Sequence, residues 1–566
     1  MELFLQDVAG GYPLRPFQAE ALGALLHRRT HLAVDAAPGL GKSLIALAAI
    51  VEALQRGESA VWLMPLRVLV EEKARWLSHV LPAKCGDRCP VVVRLGQRDQ
   101  HPGAFVQEQE ISHVHETVEP QVLITTYEWF FHHHVSAFLK GTVVLDEAQE
   151  LYTPERGEIL HRIIVSLMNR VHVPRITMLG HAYSQDMRLL MRNIEVIRSP
   201  ERPNITLRFA PGETGIDALV RLLRQLFIRN SRAVVAVFVA QVSHTERLAG
   251  QLRKRLPDIL GESCLESAPP ISIEAFHAQL DDRHKRALID AVQRGVPGVT
   301  ISTTALAKGI DLPFTEVIVR DTRLPGRAAL SMPELVQLGA RCGRRGARGE
   351  VIVLRPEPKN EGYPAIPVER VLLNSLLGAL CFRDKSLSRL MEEEGCRVER
   401  GGAQEVVNAL NRLSRCGAVT TEGDLCHVTQ VGRVLFEAPV PLSWSMGWAS
   451  FFKEVKTLPL TPLDLVMVYA ALSCNRTIPR GEAPSAPSLL WERWLSKGRW
   501  EPFFVTLGLT GEHTRGGQRT PEPARVLGET RRLWVLRTKG AAPRGFDSLL
   551  SLREIIMKSC EHCCVD

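Results

Sequence analysis

Short apolar runs alternate with helix-spaced stretches through the first 370 residues. In a first block the runs read HLAVDA (31–36), AVWLMP (60–65), PVVVRL (90–95), QVLITT (121–126), TVVLDE (142–147) and ITMLG (176–180). A second block reads AVVAVFVA (233–240), SIEAF (272–276), VTIST (299–303), TEVIV (315–319) and GEVIVL (349–354). Near-continuous apolar runs of this length belong to strands covered on both faces, and intervening helices make the sheets mostly parallel. The pattern predicts two α/β domains, 1–200 and 205–370, divided at the proline- and charge-rich RSPERPN (198–204).

The rhythm then changes. GAQEVVNALNRLSRCG (402–417) places Val406, Val407, Leu410 and Leu413 at helical spacing, with Gly417 as a C-cap. AVTTEGDLCHV predicts a hairpin turning at Glu422-Gly423-Asp424. Helices followed by a hairpin predict a winged-helix domain over 375–445. TPLDLVMVYAAL, with Thr461 as N-cap and Pro462 at N1, opens a mainly helical region, 446–566, with a linker at IPRGEAPSAPS (478–488).

Composition is that of an ordinary globular chain: 566 residues, 45% hydrophobic and 23% charged. A net charge of +8 is compatible with a polyanionic partner. The first residues lack a basic stretch followed by an apolar core, and the apolar runs are too short to span a bilayer. Twelve cysteines without framework spacing fit reduced thiols. The expectation is a cytoplasmic protein, or one of the nucleoid or nucleus, that is not secreted and meets no membrane.

Ala36 to Ser43, AAPGLGKS, fits the phosphate-loop pattern with alanine at the first glycine position. Gly39 and Gly41 let backbone N–H groups curl round a phosphate. Lys42 neutralises the β- and γ-phosphates, and Ser43 offers a hydroxyl to Mg2+. The loop follows a strand and opens a helix, as the chemistry requires. In the same block a strand ends at Asp146-Glu147. Asp146 suits a magnesium ligand acting through water, and Glu147 a base for an attacking water. In the second block QLGARCGRRG (337–346) places Arg341 and Arg344 three apart on a predicted helix. Arginines aimed across a cleft stabilise a phosphoryl transition state.

Together these residues resemble the superfamily-two helicases, and within them the superkiller-like branch, which includes archaeal replication-fork repair helicases and RNA-unwinding helicases. The similar runs occur in the family's order. LRPFQAEAL resembles the opening motif, which implies that Gln18 reads adenine. MPLRVLVEEK resembles motif Ia, LITTY motif Ib, and LDEAQELYTPERGEIL motif II with its trailing Arg-Gly-Glu. AFHAQLDDRHKRALIDAVQRG and ISTTALAKGIDLP resemble motifs IVa and V, and QLGARCGR motif VI. The resemblance implies two tandem RecA-like parallel-sheet domains, a winged helix and a mainly helical C-terminal region. It also implies an ATP- and Mg2+-dependent motor moving 3′→5′ along DNA or RNA, single-stranded or partly duplex, in DNA repair or RNA processing.

By the same resemblance Gly309 and Asp311 serve nucleotide coupling and Gln337 joins the catalytic set. Arg67, Thr126, His277 and Thr303 contact the strand, with an interior role as the alternative for His277. The chain is shorter after the winged helix than the repair helicases it resembles, so a protein partner acting through the C-terminal region is also expected.

Three positions depart from the family. Gln149 stands where motif II has histidine, and its amide suits a bridge to the second domain. Leu179-Gly180-His181-Ala182 stands where motif III has Ser-Ala-Thr, the hydroxyl pair that couples hydrolysis to unwinding. Ala340 replaces a glycine in motif VI. The motif III departure bears on strand separation more than on hydrolysis. It favours one alternative to the helicase, a translocase or remodeller that does not separate strands; a second alternative, of another class, is a nucleic-acid-binding scaffold that uses ATP as a switch.

Weaker signals stand apart from this set. WERWLSKGRW (491–500) offers rings for base stacking, yet Trp491, Trp494 and Leu495 have the spacing of a helix core. Cys560, Cys563 and Cys564, like Cys85 and Cys89, lack the second half of a zinc site. His132-His133-His134 reads as an exposed helix end.

Overall fold

The computed structural model describes 1–82, 91–94, 120–133, 141–183, 187–260, 271–277, 280–303, 312–323, 329–342, 348–358, 362–395, 402–454 and 549, apart from a few single positions. Gly309, Asp311 and Arg344 lie outside the described residues, as do the tryptophan-rich 491–500, the segment opening at Thr461, the 478–488 linker and both cysteine groups.

Every strand expected in the first block is present: β1 His31–Asp35, β2 Ala60–Met64, β3 Val91–Arg94, β4 Val122–Thr126, β5 Thr142–Leu145 and β6 Arg175–Gly180. A further strand, β7 Ile194–Arg198, completes a sheet of order β3-β4-β2-β5-β6-β1-β7, with every pair parallel. The second sheet opens with another strand that the apolar pattern does not show, β8 Ile205–Phe209. It continues with β9 Val234–Phe238, β10 Ser272–Phe276, β11 Gly298–Ser302, β12 Glu316–Val319 and β13 Gly349–Val353, again all parallel, in the order β10-β11-β9-β12-β13-β8. The two extra strands are edge strands. β8 alternates half-buried and exposed residues, so it lacks the continuous apolar signature of a central strand. They flank the RSPERPN stretch on either side.

Central strands bury every side chain: β2, β4, β5, β9 and β11 have no exposed position. Helices cover both faces. The first sheet's two faces seed separate apolar clusters, one built on the helix Ser43–Gln55 and the other on Pro154–Met168. These two parallel sheets are the two α/β domains that the pattern predicted, and they agree with the tandem RecA-like pair that the resemblance implies.

Beyond residue 367 lies a third unit of helices Val368–Phe382, Leu387–Gly395, Gly402–Arg415, Gln430–Glu437 and Leu442–Glu454. Its antiparallel sheet joins β14 Lys385–Ser386, β15 Val419–Glu422 and β16 Leu425–Val428 in the order β14-β16-β15. The hairpin turns at Gly423, whose φ is +61°, and Gly417 closes the preceding helix at φ +81°. Val406, Leu410 and Leu413 enter the core of this unit, while Val407 is half-buried.

The third unit is fastened to the first sheet's domain by buried polar groups. Arg162, on the helix that follows motif II, has no exposed surface. Its guanidinium donates to the carbonyls of Leu435 (3.4 Å), Phe436 (2.9 Å), Ala438 (2.6 Å) and Val440, and sits over the Phe131 ring. Four carbonyls around one planar cation satisfy a charge that would otherwise be costly to bury. In the Arg-Gly-Glu trailing motif II, Glu158 shares this task, whereas Arg156 pairs within the first domain. Arg156 pairs with Glu128 at 3.1 Å, and Glu158 accepts the Leu442 N–H at 2.6 Å.

Candidate nucleotide cleft

The phosphate loop follows β1 directly. Gly39 and Gly41 both have left-handed backbone, φ +84° and +81°, a region that side chains disfavour. The loop opens the helix Ser43–Gln55, so Ser43 stands at its first turn. Lys42 is half-buried, and its ammonium donates to the carbonyls of Ala36 (2.7 Å) and Ala37 (3.2 Å). Burial lowers its pKa, against the opposing charges of Glu147, Asp146 and Asp35.

Gln18 is buried at the same loop. Its amide nitrogen donates to the carbonyls of Leu40 and Gly41, both at 3.1 Å, and its oxygen accepts the Arg15 N–H at 2.8 Å. The amide thus ties the phosphate loop to the start of its own helix, Pro16–Gly23.

Two strands over from β1, β5 ends in Asp146-Glu147. Glu147 has φ +53°, one of two non-glycine residues with left-handed backbone among those described; the other is Ala182 at φ +55°. Such a conformation costs about 1–2 kcal/mol and clusters at functional sites. Here each is pinned by a carboxylate. Asp146 Oδ1 accepts the Glu147 N–H at 3.0 Å, and Asp35 Oδ1 accepts the Ala182 N–H at 2.6 Å. Both strained residues follow adjacent strands, β5 and β6, and β6 lies between the acidic strand and the phosphate-loop strand.

The two carboxyls are driven apart electrostatically. Burial, then the Glu147 charge, pushes Asp146 up to about 6. Burial would raise Glu147 too, but Lys42, Arg341 and His181, with the hydrogen bond from Gln149, bring it below its usual value. Glu147 is thereby kept ionised, as a base or water-orienting group must be.

The second sheet's domain reaches this carboxylate. Gln337, on the helix Met332–Gly339, donates through Nε2 to Glu147 Oε2 at 3.1 Å. That helix ends at Gly339 with Ala340 as its cap, so Arg341 arrives on a turn rather than on a helical face shared with residue 344. Ala340 has φ −66°, where alanine fits as well as glycine. Arg341 is buried and feels the charges of Glu147 and Glu72. The bridge expected of Gln149 is made by Gln337 instead: Gln149 is buried and donates to Glu147 within its own domain.

One position of the motif III departure, Gly180, is sterically crowded. A Cβ on Gly180 would lie 2.5 Å from the Tyr183 hydroxyl and 2.8 Å from Gln149 Oε1. The next residue, His181, is buried and reaches the other domain: its Nε2 lies 3.4 Å from the Pro333 carbonyl and 3.1 Å from the Tyr363 hydroxyl. Burial, then Lys42, lowers it to about 4, so the ring is neutral.

The four strand-contact candidates fall in two neighbouring pairs. Arg67 and Thr126 follow the carboxyl ends of adjacent β2 and β4, and His277 and Thr303 those of adjacent β10 and β11. Arg67 and Thr303 are half-buried. Thr126 is buried and its hydroxyl accepts the Trp129 N–H at 3.3 Å. His277 is buried against Glu246 at 2.9 Å. His132 and His133 end the helix Tyr127–His133 and are exposed. Asp35 belongs to the cleft without having been singled out in the sequence, and Glu72 and Lys73 join it from the run that resembles motif Ia.

Family models agree with this architecture. The DEAD/DEAH box helicase model matches residues 15–182, and the helicase conserved C-terminal domain model matches 216–346. The chain belongs to the superfamily-two helicases. It is an enzyme of this ATP-hydrolysing family and is related to archaeal repair helicases. The ATP-dependent DNA helicase Hel308 of Pyrobaculum calidifontis is 27% identical over 515 residues, 78% of this chain and 70% of the relative. That of Thermoplasma volcanium is 25% identical, covering 85% and 78%. Putative helicase 7 of Sulfolobus islandicus filamentous virus is 24% identical, covering 75% and 71%. In fold the helicase is similar to the DUF1998 helicase MrfA solved bound to DNA and AMPPNP, with TM-score 0.55 and 15% identity. The match covers 75% of this chain and 61% of that one, so the helicase spans about three fifths of the solved chain. Among the described residues no helix is long and apolar enough to cross a membrane.

Proposed function

We propose that this protein is an ATP-dependent DNA helicase that moves 3′→5′ along one strand. The observation that carries the reading is the Gln337–Glu147 hydrogen bond, 3.1 Å between the two sheets' domains, made at the strained end of the acidic strand and beside Lys42. Lys42 and the loop amides take the phosphates. Glu147 orients and deprotonates the attacking water, and Arg341, with Arg344 beyond it, neutralises the charge that develops on the transferred phosphoryl. Gly309 and Asp311 couple the second domain to nucleotide.

The donor set fits magnesium. Among the described residues no cluster of three or more His, Cys, Asp or Glu side chains forms a cage. Magnesium at a phosphate site takes only one or two protein ligands, and the half-buried Asp146, crowded by the neighbouring Glu147 charge, would supply one. Ser43 and Asp146 would hold the ion, which supplies charge neutralisation at the phosphate oxygens.

Arg67 and Thr303 grip the backbone of the strand from the two domains, with Thr126 and His277 beside them. Such a grip is largely sequence-independent and weakens with salt. The winged-helix reading of the third unit, as a brace for the two motor domains, belongs to the same proposal, and so does a protein partner on the C-terminal region. DNA is favoured over RNA by the Hel308 relatives, which are DNA helicases by name.

The test is ATP hydrolysis with single-stranded DNA or RNA, for wild type and Lys42→Ala, beside displacement from duplexes with a 3′ or a 5′ tail. Stimulation by DNA, lost in Lys42→Ala, with displacement from the 3′ tail alone, supports the proposal. Equal and negligible hydrolysis in both proteins refutes it in favour of a scaffold. Gly180-His181-Ala182 in place of the family's hydroxyl pair favours a second reading, a translocase without strand separation, which predicts stimulated hydrolysis with no displacement from either tail.

A further inference from the structure

His181 occupies the position where the family carries its coupling motif, and it contacts three parts of the chain. It lies on the turn after β6, next to Ala182, whose left-handed backbone is held by Asp35. Its charge environment includes Glu147 and Lys42. Its Nε2 is within reach of Pro333 O at the start of the second domain's helix, and of the Tyr363 hydroxyl.

Tyr363 belongs to the segment between β13 and the third unit. Although it follows the second sheet, it packs on the first domain's core, stacked on Tyr152 with centroids 5.0 Å apart and parallel planes. Ile366 and Val371, just beyond it, are buried in the same cluster. The segment leaving the second sheet is therefore pinned to the first domain, and His181 stands edge-on to the pinning ring at 5.7 Å.

The ring is neutral, so one nitrogen carries the proton. Nδ1 is buried with no hydrogen-bond partner. A buried N–H left without an acceptor is the costlier arrangement, so the proton belongs on Nε2. That single N–H is shared between an acceptor on the moving helix and one on the pinned segment.

We propose that His181 is a positioning residue that couples the nucleotide cleft to the segment leaving the second sheet: the shared Nε2–H bridges the Pro333 carbonyl and the Tyr363 hydroxyl while the cleft is closed, and keeps only the Tyr363 hydroxyl when it opens. In this chain the imidazole–tyrosine pair takes the place of the family's hydroxyl pair. Two discrete acceptors make a two-state element of the kind that transmits a domain movement. The proposal rests on the motor reading above.

The experiment measures DNA-stimulated ATP hydrolysis and DNA strand displacement for wild type, His181→Ala, His181→Gln, Tyr363→Phe and the His181→Ala/Tyr363→Phe double variant, with thermal melting as a control. Tyr363→Phe removes one hydroxyl and leaves the ring stack, so it tests the contact even if His181→Ala folds poorly. The expected result is a fall in displacement per ATP hydrolysed of roughly threefold to thirtyfold in His181→Ala and Tyr363→Phe. The double variant is expected to be no worse than His181→Ala, because both remove one contact. His181→Gln, which keeps a donor, is expected to recover part of the ratio. Hydrolysis and displacement falling in parallel, or additive losses in the double variant, would overturn the coupling proposal alone. Wild-type hydrolysis that DNA does not stimulate would overturn the motor reading and this proposal with it.

Discussion

Gln337 Nε2 donates to Glu147 Oε2 at 3.1 Å, joining residues 190 positions apart across two domains. The hydrogen bond holds a left-handed, ionised glutamate by a group that moves with the other domain. Gln337→Ala is expected to lower the maximal hydrolysis rate by roughly tenfold to a hundredfold, the range for one lost polar contact to a reacting group, with nucleotide affinity nearly unchanged. Steady-state kinetics beside equilibrium binding of a non-hydrolysable analogue checks the split.

Arg341 is buried between carboxylates of the first domain, Glu147 and Glu72, although it belongs to the second. Arg341→Lys keeps the charge but loses the planar fork. Both Arg341→Lys and Arg341→Ala are expected to cut hydrolysis by roughly a thousandfold, the scale of an arginine finger. Rescue to within a few-fold by lysine would show that charge alone suffices.

Arg162 satisfies four carbonyls at the junction with the third unit. Arg162→Ala leaves them buried without their donor, and a loss of about 3–5 kcal/mol is expected. Urea denaturation reads the loss, and limited proteolysis is expected to cut between Val440 and the helices before it more readily than in wild type.

Gly180→Ser would bring a hydroxyl into the run that stands where the family has Ser-Ala-Thr. It is expected instead to destabilise the fold by about 1–3 kcal/mol, because its Cβ meets Tyr183 and Gln149. A melting temperature equal to wild type would contradict the crowding at the end of β6.

His181 is depressed to about 4, against roughly 6.5 for the unfolded chain. Between those values the unfolded state binds the extra proton, so stability rises with pH. The contribution is complete above pH 6.5 and is lost as pH falls through 4, a change on the order of 3 kcal/mol. Comparing wild type with His181→Gln across this window isolates it, since His31, also lowered by burial, is common to both. Parallel curves would show that His181 is not buried neutral.

Much of this was legible in sequence because it is local. Gly39 and Gly41 announce left-handed turns by residue type, continuous apolar runs announce central strands, and Glu422-Gly423-Asp424 announces a hairpin. The edge strands β7 and β8 were not legible, since half-covered strands carry a weak apolar signal. The cleft itself was legible only as motifs in two separate blocks. Which glutamine would bridge the two domains depends on how two sheets approach, and Gln149 and Gln337 are equal candidates by chemistry. Gln18 was recognisable as a motif residue, but its use as a brace for Leu40 and Gly41 is a matter of packing. Arg162 sits in a run that reads as an ordinary amphipathic helix, and nothing nearby tells that its partners lie near residue 440.

The Arg162 junction has a mechanical consequence. With the third unit bolted to the first sheet, and Tyr363, Ile366 and Val371 clamped to that same body, those parts form a frame. The second sheet is then an arm slung from the frame by its two connecting segments, one at 198–204 and one at 354–367. On the motor reading proposed above, a power stroke is the swing of that arm against the frame, and the load it can bear is set at the bolts rather than at the fuel site.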